Sequence, residues 1–182
     1  APLIEGPFPE HYEPVETPVE KNPFSSRLLN PAIKIWKTDA GQSIGDNWGK
    51  RTEFPIVATT YRVVEHWQAG GMSRWLEWLT ECQPEMFVEM SKELAKEKGI
   101  QNGNRVKIRS ARGEIQAVAV VTGRFKPFQV EGKVIHQIGM PWHFGWGGLA
   151  RGDIANDLTP HVGDANTTIP EYKAFLVDLK KA

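Results

Sequence analysis

The stretch FPIVATTYRVVEHWQAGG, residues 54–71, changes character halfway along. FPIVATT is a continuous apolar, β-branched run, the pattern of a buried strand. It ends in two hydroxyls, Thr59 and Thr60, and is followed by Arg62, Glu65, His66, Trp67, Gln68 and the pair Gly70 and Gly71. A surface loop needs no such collection, and a core would not tolerate it. A polar ligand with many contact points accounts for it.

Further segments of strand character follow. EMFVEM alternates at period two, and QNGNRVKIRSARGEIQAVAVVTGR reads as a hairpin with strands over 105–110 and 114–122 and a turn through Ala111, Arg112 and Gly113. GKVIHQIGM and AFLVDL supply one strand each. SRWLEWLTEC predicts a short helix whose apolar face carries Trp75, Trp78, Leu79 and Cys82, with Cys82 as buried filler. SKELAKEKG predicts a two-turn helix capped by Ser91 and stopped at Gly99. About six strands with two small helices fit a barrel better than a βαβ sheet.

Seven of the thirteen prolines fall within residues 1–31. Proline removes backbone donors and fixes φ, so an extended, mostly irregular arm is expected there. IKIWKTD adds a short strand at best, and GQSIGDNWGK reads as loop. The expected organisation is therefore an arm and irregular lead-in over 1–52 and one β-barrel domain over 53–182.

The chain has 182 residues, with 22 basic and 22 acidic side chains and zero formal charge. The overall positive field of most nucleic-acid binders is missing, so an anionic ligand must be held by local groups. No apolar run approaches a membrane span, and the opening residues lack the basic then apolar pattern of a signal peptide. The single cysteine excludes an internal disulfide and any multi-cysteine zinc or iron–sulfur site within this sequence. The five histidines show no helix-type metal spacing. There is neither a GxSxG elbow nor a GxxxxGK[ST] loop.

Three polar segments, the first two bearing glycines, adjoin predicted strands: 59–71, GMPWHFGWGGLARGDIANDLTP over 139–160, and TTIPEYK over 167–173. A closed barrel could bring all three to one rim. Arg62 offers a planar fork of donors for a diphosphate or carboxylate, although a surface salt bridge is its commoner use, with Glu65 as one candidate partner. Threonine hydroxyls at a strand end can meet phosphate or stay at the strand edge. His66 and Trp67 combine an edge donor with a stacking face, and for His66 alone a structural role is favoured. The double glycine can aim amides at an anion or simply turn the chain. His143 repeats this logic in HFGWGG. Asn156 and Asp157 could read a purine edge or form a turn. Lys173 follows PEY and would be solvated in most proteins.

The joint pattern is more specific than any part of it. TTYRVVEHWQAGGMSR together with IGMPWHFGWGGLARGDIANDLTPHVGDANTTIPEYKAFLV resembles the C-terminal, dinucleotide-binding domain of the catalytic subunit of molybdenum- or tungsten-containing formate dehydrogenases of the exported, respiratory type, over residues from about Pro14 to Ala182. The resemblance implies a mainly β fold, a six-stranded double-psi β-barrel, which agrees with the strand count. It implies binding of molybdopterin guanine dinucleotide, two of which surround one metal. The matching cofactor contacts would be Thr60, Tyr61, Arg62, Val63, Val64, Glu65, His66, Trp67, Gln68 and Ala69, then Asn156 and Lys173, with His143 and Phe144 approaching the metal pocket.

The family's catalytic equipment has no counterpart here: a selenocysteine or cysteine metal ligand, its histidine and a four-cysteine iron–sulfur motif. The chain is expected to lack formate oxidation by itself and to work with the remainder of the catalytic subunit and an iron–sulfur electron-transfer subunit, in the periplasm. Nothing in the residues chooses molybdenum over tungsten, since cofactor sulfurs and a residue outside the chain would hold the metal. Two other readings remain open: a stand-alone double-psi barrel that docks a protein or peptide, and the same domain from a nitrate or other oxyanion reductase.

Overall fold

The structure is a computed structural model that describes residues 8–9, 14–20, 33–44 and 47–182. Much of the expected arm, residues 1–7, 10–13 and 21–32, lies outside the described residues.

Six strands close a barrel. These are β3 (Ile56–Tyr61), β4 (Phe87–Met90), β5 (Arg105–Arg109), β6 (Glu114–Val121), β9 (Gln137–Pro141) and β11 (Phe175–Lys181), in the order β11-β3-β9-β4-β6-β5. β3 pairs with β9 and β4 with β6 in parallel, and the other four pairings are antiparallel. All six strands expected from the sequence are present. Alternation explains the interior: Ile56 and Ala58, Val88 and Met90, Val106 and Ile108, Ile115, Ala117 and Ala119, Ile138 and Met140 all face inward and are buried. Phe175, Val177 and Leu179 complete this core from β11.

Outside the barrel, β1 (Ile33–Lys37) pairs with β10 (Val162–Asp164) and with β2 (Ser43–Ile44). The run GKVIHQIGM is two strands rather than one. β8 (Lys133–Ile135) forms a hairpin with β7 (Phe128–Val130), and only β9 enters the barrel. The chain passes from one to the other at His136.

The helix α2 (Lys92–Glu97) forms as expected: the Ser91 hydroxyl accepts from the Leu94 N–H at 3.1 Å, and Gly99 ends it at φ +64°. The segment SRWLEWLTEC departs from expectation. It is one 3-10 turn, Ser73–Trp75, followed by α1 (Glu77–Cys82), and α1 buries none of its residues. Trp75 and Trp78 are exposed, and so is Cys82, which is not core filler. The apolar spacing is real, but Trp75, Trp78 and Cys82 stay uncovered among the described residues.

Strand direction decides where the loops go. The registers place the C-terminal ends of β3, β5 and β9 and the N-terminal ends of β4, β6 and β11 at the same mouth of the barrel. Residues 62–86, 110–113, 142–161 and 165–174 therefore all emerge at or lead into that mouth. The segment after β9 also closes it, with Phe144, Ala150, Ala155 and Leu158 belonging to the core cluster.

Candidate functional site

The mouth of the barrel is built on three cross-links between its loops. The first is His143, fully buried after β9. Its Nδ1–H donates to the Gln68 carbonyl at 2.7 Å and its Nε2 accepts the Val63 N–H at 3.0 Å. Both nitrogens of the neutral imidazole are thus occupied, and burial, foremost, pulls its pKa below the ordinary value, with Arg62 and His66 adding to the effect. Gln68 is held at φ +52° by this contact. Gly70 follows at φ +73°, where a Cβ would collide with the His143 carbonyl oxygen.

The second cross-link is His66, also buried. One ring nitrogen, Nε2, lies 2.8 Å from the Gln83 carbonyl and donates to it, and Nδ1 lies 3.3 Å from the Ser73 hydroxyl. Its ring edge meets Phe144 at 5.6 Å between centroids. The structural role favoured for His66 from its residue type alone matches this environment. Phe144 is core, and His143 presents no free nitrogen.

The third is Arg74, which sequence reasoning passed over. Its guanidinium is buried and donates to the carbonyls of Gly145, Trp146, Gly147 and Ala150, while its own carbonyl accepts from the Leu149 and Ala150 amides. Burial lowers its pKa, and no carboxylate pairs with it among the described residues. The glycine-rich loop 145–150 is wrapped around this one side chain.

The cations at the surface of the mouth are different in kind. Arg62 is exposed, and its guanidinium carbon sits 4.0 Å from the centroid of the Trp142 ring. Lys173 Nζ donates to the Thr60 carbonyl at 2.5 Å, and the Thr60 hydroxyl donates to the Tyr172 carbonyl at 3.0 Å. Burial, then the charge of Arg62, lowers the Lys173 pKa, so the two cations feel each other. Among the described residues neither Arg62 nor Lys173 has an ion pair, and Glu65 does not supply one. Beneath Arg62, the buried Trp142 Nε1 has no acceptor among the described residues. Among the described residues this corner of the mouth therefore holds two cations with no carboxylate partner, Lys173 meeting the Thr60 carbonyl instead, and an indole N–H with no acceptor.

Asn156 lies on the same mouth but in another sector. It sits in a 3-10 turn, Ala155–Asp157, lying over the β5–β6 turn, where Gly113 closely approaches the Asp157 carbonyl. Asn156 and Asp157 are exposed. Of the remaining residues expected at the site, Tyr61 turns outward and donates to Glu89, Val63 and Glu65 are half-buried, and Val64, Trp67, Gln68 and Ala69 are exposed. Among the described residues, no group of three or more His, Cys, Asp or Glu side chains is placed to hold a metal ion.

The donor set at the Arg62 corner suits an oxygen-rich anion, and the amide of Asn156 suits a heterocycle edge. A molybdopterin guanine dinucleotide combines both, so the residues present fit that group.

Comparison with known proteins agrees. The chain is 50% identical over 182 residues to the major subunit of the nitrate-inducible formate dehydrogenase of Escherichia coli, covering 99% of this chain and 17% of that protein. It is 48% identical over 179 residues to the formate dehydrogenase subunit alpha of Megalodesulfovibrio gigas, covering 98% of this chain and 17% of that protein. The chain thus spans about a sixth of the length of these relatives. Acetylene hydratase from Pelobacter acetylenicus shares the fold, with a TM-score of 0.53 at 13% identity over 72% of this chain and 19% of that one. Residues 56–176, essentially the closed barrel and its mouth, match the family described as "Molydopterin dinucleotide binding domain", and the chain belongs to that family.

Proposed function

We propose that this chain is the cofactor-clamping portion of a formate dehydrogenase catalytic subunit. The observation that carries the reading is the corner where, among the described residues, Arg62 and Lys173 have no carboxylate partner and the Trp142 indole N–H has no acceptor. The Arg62 fork, braced on Trp142, and Lys173 hold the diphosphate or pterin oxygens, and the anion offsets the Arg62 charge that, after burial, lowers the Lys173 pKa. The Asn156 amide meets an amide-like edge of the ring system. His143, His66 and Arg74 carry no chemistry in this reading and fix the loops that aim these groups. When bound, the cofactor supplies the molybdenum- or tungsten-centred redox step. In that step formate yields carbon dioxide, one proton and two electrons, and the electrons leave through iron–sulfur centres outside this chain.

The rest of the catalytic subunit is the proposed partner at the mouth. Ten of the thirteen exposed large hydrophobic residues among the described ones belong to its loops, including Trp67, Met72, Trp75, Trp78, Trp146 and Leu149. Such concentration marks a covered surface rather than scattered exposure. The reading includes a periplasmic location, testable by cell fractionation.

The test is retention of cofactor. In the assembled enzyme, Arg62→Gln and Asn156→Ala should each lower the bound guanine nucleotide and metal per protein by about tenfold under limiting cofactor, the loss expected for one charged or bidentate contact. Full occupancy in both variants removes the reading.

A further inference from the structure

The turn that carries Asn156 is gripped from below. Arg112, in the β5–β6 turn, spends its guanidinium donors on three separate segments. Nε and Nη2 donate to the Leu158 carbonyl at 2.9 and 2.8 Å, Nη1 donates to the Asn47 carbonyl at 3.0 Å, and Nη1 and Nη2 both reach the Glu16 carboxylate. Leu158 is the C-terminal cap of the 3-10 turn Ala155–Asp157. Glu16 in turn accepts from the amides of Gly49 and Leu176. The pair is sequestered, with side-chain exposures of 9% for Arg112 and 0% for Glu16.

A buried ion pair of this kind is poor evidence for net stability, because desolvation offsets much of the attraction; fixing geometry is its better-supported use. Here the geometry fixed is that of one turn. Lysine could not replace the fork, since an ammonium is a single point with three donors, whereas Arg112 meets acceptors on Leu158, Asn47 and Glu16 at once. From these contacts we infer that Glu16 and Arg112 are positioning residues for Asn156: the arm segment at Glu16 sets the pose of the rim turn that reads the cofactor's ring edge. This rests on the assignment of Asn156 as a cofactor contact.

The experiment uses the assembled, cofactor-loaded enzyme with Arg112→Lys and, should that variant fail to fold, Glu16→Gln. Amide hydrogen exchange is followed over 155–159 and over the reference loop 63–70, and retained nucleotide is measured with and without Asn156→Ala. Exchange over 155–159 should quicken by about tenfold while 63–70 stays unchanged, the scale of one lost charged hydrogen bond. Arg112→Lys should also cost no further nucleotide once Asn156 is already alanine. Unchanged exchange over 155–159 overturns the inference, as does a fully additive loss of nucleotide. If exchange quickens while Asn156→Ala alone keeps its nucleotide, the positioning stands and the role of Asn156 in binding falls.

Discussion

His143 and Gln68 are joined across the barrel mouth by a 2.7 Å hydrogen bond from the imidazole Nδ1–H to the backbone carbonyl. With the Val63 amide on Nε2, this bond makes one side chain the fastener between the loops that follow β3 and β9. His143→Phe keeps a ring but leaves the Val63 N–H and the Gln68 carbonyl without their partner at a partly buried site. It should cost about 1–3 kcal/mol in thermal or denaturant unfolding. The pH dependence has a definite sign. A histidine whose folded pKa is depressed holds its proton less well than the unfolded chain does, so its contribution is full above the unfolded value near 6.5 and fades as pH falls below it. The stability gap between wild type and His143→Phe should therefore narrow from pH 7 toward pH 5.

Glu171 behaves in the opposite sense. Its carboxylate accepts the Val15 amide at 3.2 and 3.3 Å, yet burial, with the nearby Glu16 charge, raises its pKa to about 7. A carboxyl whose folded pKa lies above its unfolded value of 4.5 stabilises the fold while protonated and progressively less as pH rises from 4.5 to 7. Glu171→Gln should flatten this trend. The melting temperature of the variant relative to wild type is expected to be higher at pH 8 than at pH 5, and a constant difference across that range contradicts the assignment.

Arg74 should prove more costly to remove than any exposed cation of the mouth. Arg74→Met strips the side-chain hydrogen bonds from the carbonyls of Gly145, Trp146, Gly147 and Ala150. A loss of about 3 kcal/mol is expected, with faster amide exchange confined largely to 145–150. Arg62→Gln, whose parent side chain is exposed and rests on one ring face, should change stability by about 1 kcal/mol or less.

The different fates of these residues show what the sequence could carry. The barrel strands announce themselves as short apolar runs, and β3, β5 and β6 also alternate at period two, because a strand with one face on the core buries every second residue. The break at His136 did not show, since apolar residues on both sides hide a change of sheet. The exposed face of Trp75, Trp78 and Cys82 looked like core because helical spacing records an apolar side without recording what lies against it. Nothing in the sequence singles out Arg74, and Arg112 is legible only as part of the turn through Ala111, Arg112 and Gly113. The ion pair of Arg112 with Glu16 spans 96 positions, and no local pattern predicts a contact of that range. The three mouth segments were legible as a group through their mixed donors, and the first two through their glycines as well, but the orphaned N–H of Trp142 follows only from the packing around its ring.

Trp78 and Trp146 test what the uncovered apolar surface is for. They are 82% and 90% exposed, so a change to serine removes almost no packing within this chain, and stability should stay within about 0.5 kcal/mol of wild type. If these rings are covered by the rest of a catalytic subunit, each buries an aromatic anchor in the assembled protein and its loss should weaken association by about 2 kcal/mol or more. The two measurements separate cleanly. Thermal unfolding of the domain reports the first, and co-purification of the severed halves, or the midpoint of their dissociation in mild denaturant, reports the second. A double variant Trp78→Ser with Trp146→Ser that assembles as tightly as wild type would leave that surface exposed in the working protein and put the partner elsewhere on the barrel.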